Sequence, residues 1–309
     1  MQLLIPFAAA LSDAGIHTAR DLALPHLARA LAAAQPGDAL GSDEYSLTPP
    51  HERALAQARG WQGDDGALPF AAHAAAADGI EAGTRAWGLL TPVHWHVGRD
   101  HISLADPADL NLGDEESRTV FEAVRPLFET EGFELVYATS TRWYAAHEDF
   151  DRLPCASIDR VIGRNVDLWL PTHPEARLVR RLQNEVQMLL YNHAVNDERE
   201  ARGEPTVNSF WLSGCGRRQP VAGNEPTVSD ALRAPQLAED WASWADAWRA
   251  LDAGPVRQWL ERAPSEPGSA LVLCGERFAR RFEMQPRSAW QRLTAGFRSV
   301  QPHTILETL

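Results

Sequence analysis

The stretch LQNEVQMLLYNH (residues 182–193), followed after a polar interval by VNSFWLSGCG (207–216), decides the fold class. Leu178, Leu182, Val186 and Leu189 recur at helical spacing, and THPE at 172–175 has the form of a capping box before them. The helix they predict ends near His193. Val207 to Leu212 then reads as a strand, cut off by a Gly214-Cys215-Gly216 turn. A long amphipathic helix running into a short apolar strand is α/β grammar, and the same grammar recurs towards both ends of the chain.

Outward from that stretch, Leu3 to Ala10 reads as a buried strand. Asp21 to Ala34 reads as a helix with Asp21 as its N-cap, and residues 36–50 as a loop. Trp87 to His96 and His101 to Leu104 are expected strands. Asp114 to Glu131 is an expected helix that Pro126 should kink or split. Phe133 to Ala138 and Trp143 to Ala146 form an expected hairpin. Leu237, Trp241, Trp244, Trp248 and Leu251 make an amphipathic helix with a tryptophan stripe, and Ser269 to Cys274 is a last core strand. The alternation favours a largely parallel sheet with helices on its faces, interrupted by a hairpin-like centre. The expected organisation is an α/β core from residues 1–85 and 219–309, with an inserted α+β subdomain at 86–218 and a linker at 219–236.

Charge and composition remove several function classes. The 309 residues carry a formal net charge of -13, which disfavours nucleic acid and anionic lipid as partners. All 29 basic residues are Arg. Without Lys there is no Schiff base and no Walker A loop, so phosphate or carboxylate recognition falls to Arg forks, backbone N–H groups or a metal. Cys155, Cys215 and Cys274 are far apart, which gives no cysteine zinc site and fits reduced thiols. No apolar run approaches a membrane span and the first residues lack a basic leader region, so the expected location is the cytoplasm.

Four groups of residues could carry chemistry. His94 and His96 alternate on a strand, with Asp100 and His101 close behind, a set able to take a divalent metal. Arg160 and Arg164 stand four apart and could face one anion, while Arg142 precedes Trp143 and Tyr144. The Gly214-Cys215-Gly216-Arg217-Arg218 run could bring backbone N–H groups and positive charge to a phosphate. Its Arg neighbours could lower the Cys215 pKa, but no positioned base accompanies that thiol. The tryptophan stripe reads as core, with a partner-binding groove as its alternative.

The central signature has a family resemblance. Asn184 and Glu185, the His193-Ala194-Val195-Asn196 turn, Arg199, Gly203, Asn208 and the Trp211–Gly216 strand end resemble the archaeal-type cofactor-independent phosphoglycerate mutases. Ala194 stands where that family has Pro, and Ser213 where it has a second Trp. Arg142–Tyr144, Ser157–Arg160 and Gly163–Asn165 are similar to a proteobacterial group labelled as phosphoglycerate mutases or RpfE-type regulatory proteins. The resemblance implies an alkaline-phosphatase-like sheet core with an inserted subdomain, two divalent metals such as Mn or Zn, and a Ser nucleophile. On this reading Asn196, Arg199, Asn208, Gly214 and Gly216 would frame a retained anion pocket or its scaffold.

The chain departs from that pattern at the metal positions. The first strand ends in Pro6 and alanines where the family has an Asp-Gly turn. Ala23-Leu24-Pro25-His26-Leu27 is a worn form of its helix start, and Cys274 runs into Gly275-Glu276 where an Asp-His pair belongs. The reading is therefore a degenerate relative without the metal cage and without an expected cofactor, binding a small phosphorylated or anionic metabolite or a protein partner. Two alternatives stay open. One is an active metal-dependent mutase or phosphatase with ligands relocated to His94, His96, Asp100 and His101. The other is an interaction protein docking through its Trp-rich helix.

Overall fold

Residues 1–284 and 300–309 are described by a computed structural model, and their contacts divide the chain into two units, 1–60 with 221–309, and 61–220. In chain order the first unit opens with β1 (Gln2–Ile5), α1 (Asp13–Asp21), α2 (Pro25–Ala33), β2 (Ala34–Gly41) and α3 (Pro50–Arg59). The second unit contains α4 (Phe70–Ala77), β3 (Ala86–Val93), β4 (Trp95–Val97), β5 (Ile102–Leu104), α5 (Asp114–Thr130), β6 (Glu134–Thr139) and β7 (Arg142–Ala146). It is completed by α6 (Ile158–Val161), α7 (Arg177–Tyr191), α8 (Ala194–Ala201) and β8 (Ser209–Arg217). The chain returns to the first unit with β9 (Thr227–Val228), α9 (Arg233–Leu237), α10 (Trp241–Leu251), α11 (Arg257–Arg262), β10 (Ala270–Cys274), β11 (Phe278–Met284) and α12 (Pro302–Leu306). No helix among the described residues is long and apolar enough to cross a membrane.

The expected α/β class is what the chain adopts, but the first unit's sheet is mixed rather than largely parallel. Its order is β2-β11-β10-β1-β9. β1 runs parallel to β10 and β9, while β10–β11 and β11–β2 are antiparallel. Alternation sorts its side chains to two faces. Leu3, Ile5, Leu271, Leu273 and Phe282 join the helical core of α2, α10 and α11, whereas Leu4, Val272, Cys274 and Ala279 pack with Ala54 of α3.

Three expectations for this unit are corrected. Residues 36–50 do not form a simple loop, because 34–41 is an edge strand held by backbone pairing to β11. The helix expected over 21–34 starts later, at Pro25, and a separate helix precedes it. Asp21 closes the first, Ser12 caps it by accepting from the Gly15 N–H, and Pro25 starts the second. Asp252, buried in a π-helical turn after α10, accepts from the backbone N–H groups of His26 and Leu27 and so caps α2 from far along the chain. The 219–236 stretch carries β9 and part of α9 rather than a bare linker.

The second unit is built on a four-stranded antiparallel sheet, β6-β7-β3-β8, with β4–β5 as a separate hairpin. α5 and α7 pack on it through Val120, Phe121, Val124, Phe128, Val179, Leu182 and Val186. Pro126 lies within α5 without splitting it, because it sits on the exposed side where water can satisfy the freed carbonyl. α7 begins at Arg177 after a 3-10 turn over Pro174–Ala176, so Thr172 is not its cap. β8 runs straight through Gly214 and Gly216 to Arg217, which removes the expected turn.

Candidate functional site

In the first unit, the implied metal site falls at the carboxyl ends of parallel β1 and β10. There the chain presents alanine. Phe7 turns the backbone at φ 56°, and Ala8, Ala9 and Ala10 are buried. Three successive carbonyls in this turn are taken by core side chains. Trp244 Nε1 donates to Phe7 O at 3.0 Å, Trp248 Nε1 to Ala8 O at 3.2 Å, and Gln236 Nε2 to Ala9 O at 3.2 Å. After β10, Gly275 lies against Leu309. A Cβ there would stand 2.6 Å from the Leu309 carbonyl carbon, whose oxygen accepts from the Arg277 and Phe278 N–H groups. Glu276 accepts from the Leu11 N–H.

The turn itself offers no carboxylate or imidazole side chain. Hard divalent cations need several carboxylate or imidazole ligands, and here methyl groups occupy the turn while indoles bind its carbonyls. The same contacts show what the tryptophan stripe packs against. Trp244 and Trp248 are fully buried and Trp241 packs, half-buried, against the same core, as the core reading of the stripe expects. The stripe's polar N–H groups are what the alanine turn needs.

In the second unit, His94, His96, Asp100 and His101 sit on and around the β4–β5 hairpin. The His94 and His96 rings are 6.3 Å apart. His94 Nδ1 already lies 2.9 Å from Thr206 O, while His96, Asp100 and His101 are exposed. Among the described residues no three His, Cys, Asp or Glu side chains are gathered as a cation requires. The proposed relocated ligand set is therefore not assembled.

The hairpin does meet the Arg segment. Bridges join Ser103 to Asn165 and Leu104 to Ile162, and the Gly163 N–H donates to Leu104 O at 2.8 Å. His96 pairs with Ser103, so His96, Ser103 and Asn165 lie abreast on neighbouring backbones. Ser157 caps α6 by accepting from the Asp159 N–H, Gly163 turns the chain at φ 75°, and Arg160 is only 3% exposed. The Arg164 guanidinium lies 5.9 Å from the Trp169 ring centroid. The hairpin and the Arg segment, two separate sequence candidates, thus meet through their backbones. Trp169 was the member sequence reasoning missed, its only signal being an aromatic a few residues past an Arg.

The other signature residues serve the backbone. Asn196 donates to Leu190 O and Val207 O and accepts from the Val207 N–H, clasping the end of α7 to the strand entry. Asn208 accepts from the Trp95 N–H at 2.7 Å and donates to Trp95 O at 3.0 Å, imitating a strand partner. Arg199 is fully buried and donates to Pro205 O, to Leu110 O and to the Glu116 carboxylate. These groups hold scaffold, and their donors and acceptors are already committed.

Gly214 and Gly216 explain the missing turn. Gly214 adopts φ 64°, and a Cβ there would stand 2.9 Å from Ala71 N. Gly216 adopts φ 146° against Pro69. Both seat the start of α4 on the sheet. Cys215 between them is buried with its Sγ 3.6 Å from Cys155 Sγ. Burial raises the Cys215 pKa, and the Cys155 contact adds to it, so the thiol is not activated. Arg217 is engaged by Glu148 and Asp151 instead.

Arg142 also has a partner within this unit. It grips Asp78, the C-cap of α4, with two N–H donors at 2.8 and 2.9 Å, and Tyr144 OH donates to the same carboxylate at 2.6 Å. Arg142, and secondly Tyr144, hold the Asp78 carboxyl below its usual range, against the upward pull of burial. The Tyr144 hydroxyl is pushed up, by burial first and then by Asp78.

No protein-family model matches the chain, and no curated protein sequence does. Solved structures similar to the chain include two from archaea. The cofactor-independent phosphoglycerate mutase from Thermoplasma acidophilum DSM 1728 matches at 13% identity and TM-score 0.38, over 100% of this chain and 98% of that one. The PH0037 protein from Pyrococcus horikoshii matches at 13% identity and TM-score 0.42, over 91% of this chain and 86% of that one.

Proposed function

We propose that this chain is a non-catalytic relative of the cofactor-independent phosphoglycerate mutases that binds a small phosphorylated or otherwise anionic metabolite. In this reading the ligand sits on the rim formed by Arg160, Arg164 and the β4–β5 hairpin, and binding serves regulation, as the labels of the proteobacterial group suggest. The observation that carries it is the pair of guanidinium groups on the α6 segment. One is buried and one lies beside an indole, and bridges to β5 brace the backbone between and after them. Arg forks suit phosphate and carboxylate oxygens, and a braced segment loses little entropy on binding. The non-catalytic half of the reading is supported by the alanine turn after β1, whose carbonyls are occupied by Trp244, Trp248 and Gln236.

Titration calorimetry with inorganic phosphate and with 3-phosphoglycerate tests both halves. The expected result is saturable binding that weakens about tenfold or more in Arg164→Ala. Turnover of 3-phosphoglycerate should stay absent with and without added Mn or Zn. Metal-dependent turnover lost in His94→Ala would overturn the proposal in favour of a rebuilt active site.

A further inference from the structure

α3 does not close completely over the first unit's sheet. A cavity of about 240 Å³ opens between them, within the first unit alone. Its floor is apolar, made by Leu40, Ala54, Val272 and Ala279. Its rim is polar, made by Gln2, Gln57, Asp38 and Arg281. A concave apolar floor with a few converging polar groups is the usual make-up of a small-molecule site.

The charged pair on the rim is set there by an irregularity in the sheet. Arg280 faces Ala39 and Phe282 faces Pro36, so Arg281 of β11 stands opposite two residues of β2, Gly37 and Asp38. This two-against-one count is a β-bulge, a device that re-aims side chains at sheet edges. Among the described residues, the side chains of Gln2, Asp38 and Gln57 have no hydrogen-bond or ion-pair partner. Arg281 touches Gly268 O at 3.3 Å and a Glu283 oxygen at 3.8 Å, through Nη2 and Nε respectively. That leaves Nη1 uncommitted, because a guanidinium carries five N–H donors.

We propose that this cavity binds a small amino acid with an aliphatic side chain. Its carboxylate is received by Arg281, its ammonium by Asp38, and its side chain by the alanine-rich floor. Size agrees with that class. At roughly 30 Å³ per water, the space holds roughly eight water-sized atoms, the scale of valine or leucine. Opposite charges on one rim select a zwitterion over a simple anion, and this separates the site from the Arg160–Arg164 rim of the other unit.

The test uses the full chain with L-leucine as probe, followed by calorimetry and melting temperature. Binding is expected to raise the melting temperature with leucine concentration. 4-Methylpentanoate, which lacks the ammonium, and 3-methylbutylamine, which lacks the carboxylate, should each bind about tenfold or more weakly. Asp38→Asn and Arg281→Gln should do the same to leucine. Ala58→Leu, which fills the cavity from α3, should abolish binding while circular dichroism stays native. No heat and no thermal shift with leucine on the folded chain would overturn the proposal. So would equal binding of the two analogues, or leucine binding undiminished in a folded Ala58→Leu variant.

Discussion

The alanine turn after β1 and the helix-to-strand corner from Asn196 to Gly216 meet the same physical problem in opposite ways. Both bury irregular backbone whose polar groups must find partners. At the turn the local residues have none to offer, so Trp244, Trp248 and Gln236 reach in from more than two hundred positions away. At the corner the local side chains Asn196, Arg199 and Asn208 supply the partners themselves. A sequence signature of Asn, Arg and Gly can therefore persist because a corner needs it, with no ligand involved. A buried turn can equally be built from methyl groups when distant indoles supply the partners of its carbonyls.

This contrast can be broken by mutation, and the largest effect is expected at the turn. Trp248→Ala empties a fully buried site and orphans the Ala8 carbonyl. It should cost about 3–5 kcal/mol in urea unfolding. A loss under ~1 kcal/mol would mean the indole is not holding the turn. At the corner, Arg199→Met removes a buried cation but leaves Glu116 paired with Arg202. The loss should be about 3 kcal/mol, and phosphate binding should not change in the folded variant. If phosphate affinity collapsed while stability held, the corner would be a ligand frame after all.

The smallest effect sharpens the comparison within the second unit and is read by pH. The Asp78 carboxyl is held below its ordinary value in the fold, first by Arg142. Its contribution is therefore full above the unfolded value near 3.8 and is lost as pH falls through the lower folded value. Wild-type stability should drop below about pH 4 more steeply than that of Asp78→Asn. Superimposable acid profiles would show that this carboxylate does not help anchor α4.

What could be read in advance follows the range of the interactions. The α7 helix and the β6–β7 hairpin were legible because their burial patterns are local and periodic. β2 was not. Its residues, AQPGDALG, lack strand formers and alternation, and only pairing with β11 makes them a strand. Gly214 and Gly216 were read as a turn because positive φ and close packing leave the same mark in a sequence. The spacing of Arg160 and Arg164 was visible, but the attachment of their segment to the His94–His101 hairpin was not, since two bridges decide it. The tryptophan stripe announced burial without announcing that its N–H groups close a distant turn.

The discontinuity of the first unit has a consequence for how the protein is made. Residues 1–60 leave the ribosome before residues 61–220, but β1 must pair with β9 and β10, and α2 must receive its cap from Asp252. All of those are synthesised after residues 61–220, which form a contiguous unit able to collect its own contacts. At about 5–20 residues per second, the leading segment waits on the order of 8–30 s with Leu3, Leu4 and Ile5 unpaired. During that wait the apolar residues of β1 are open to chaperones and proteases, and residues 61–220 can complete their contacts before residues 1–60 do.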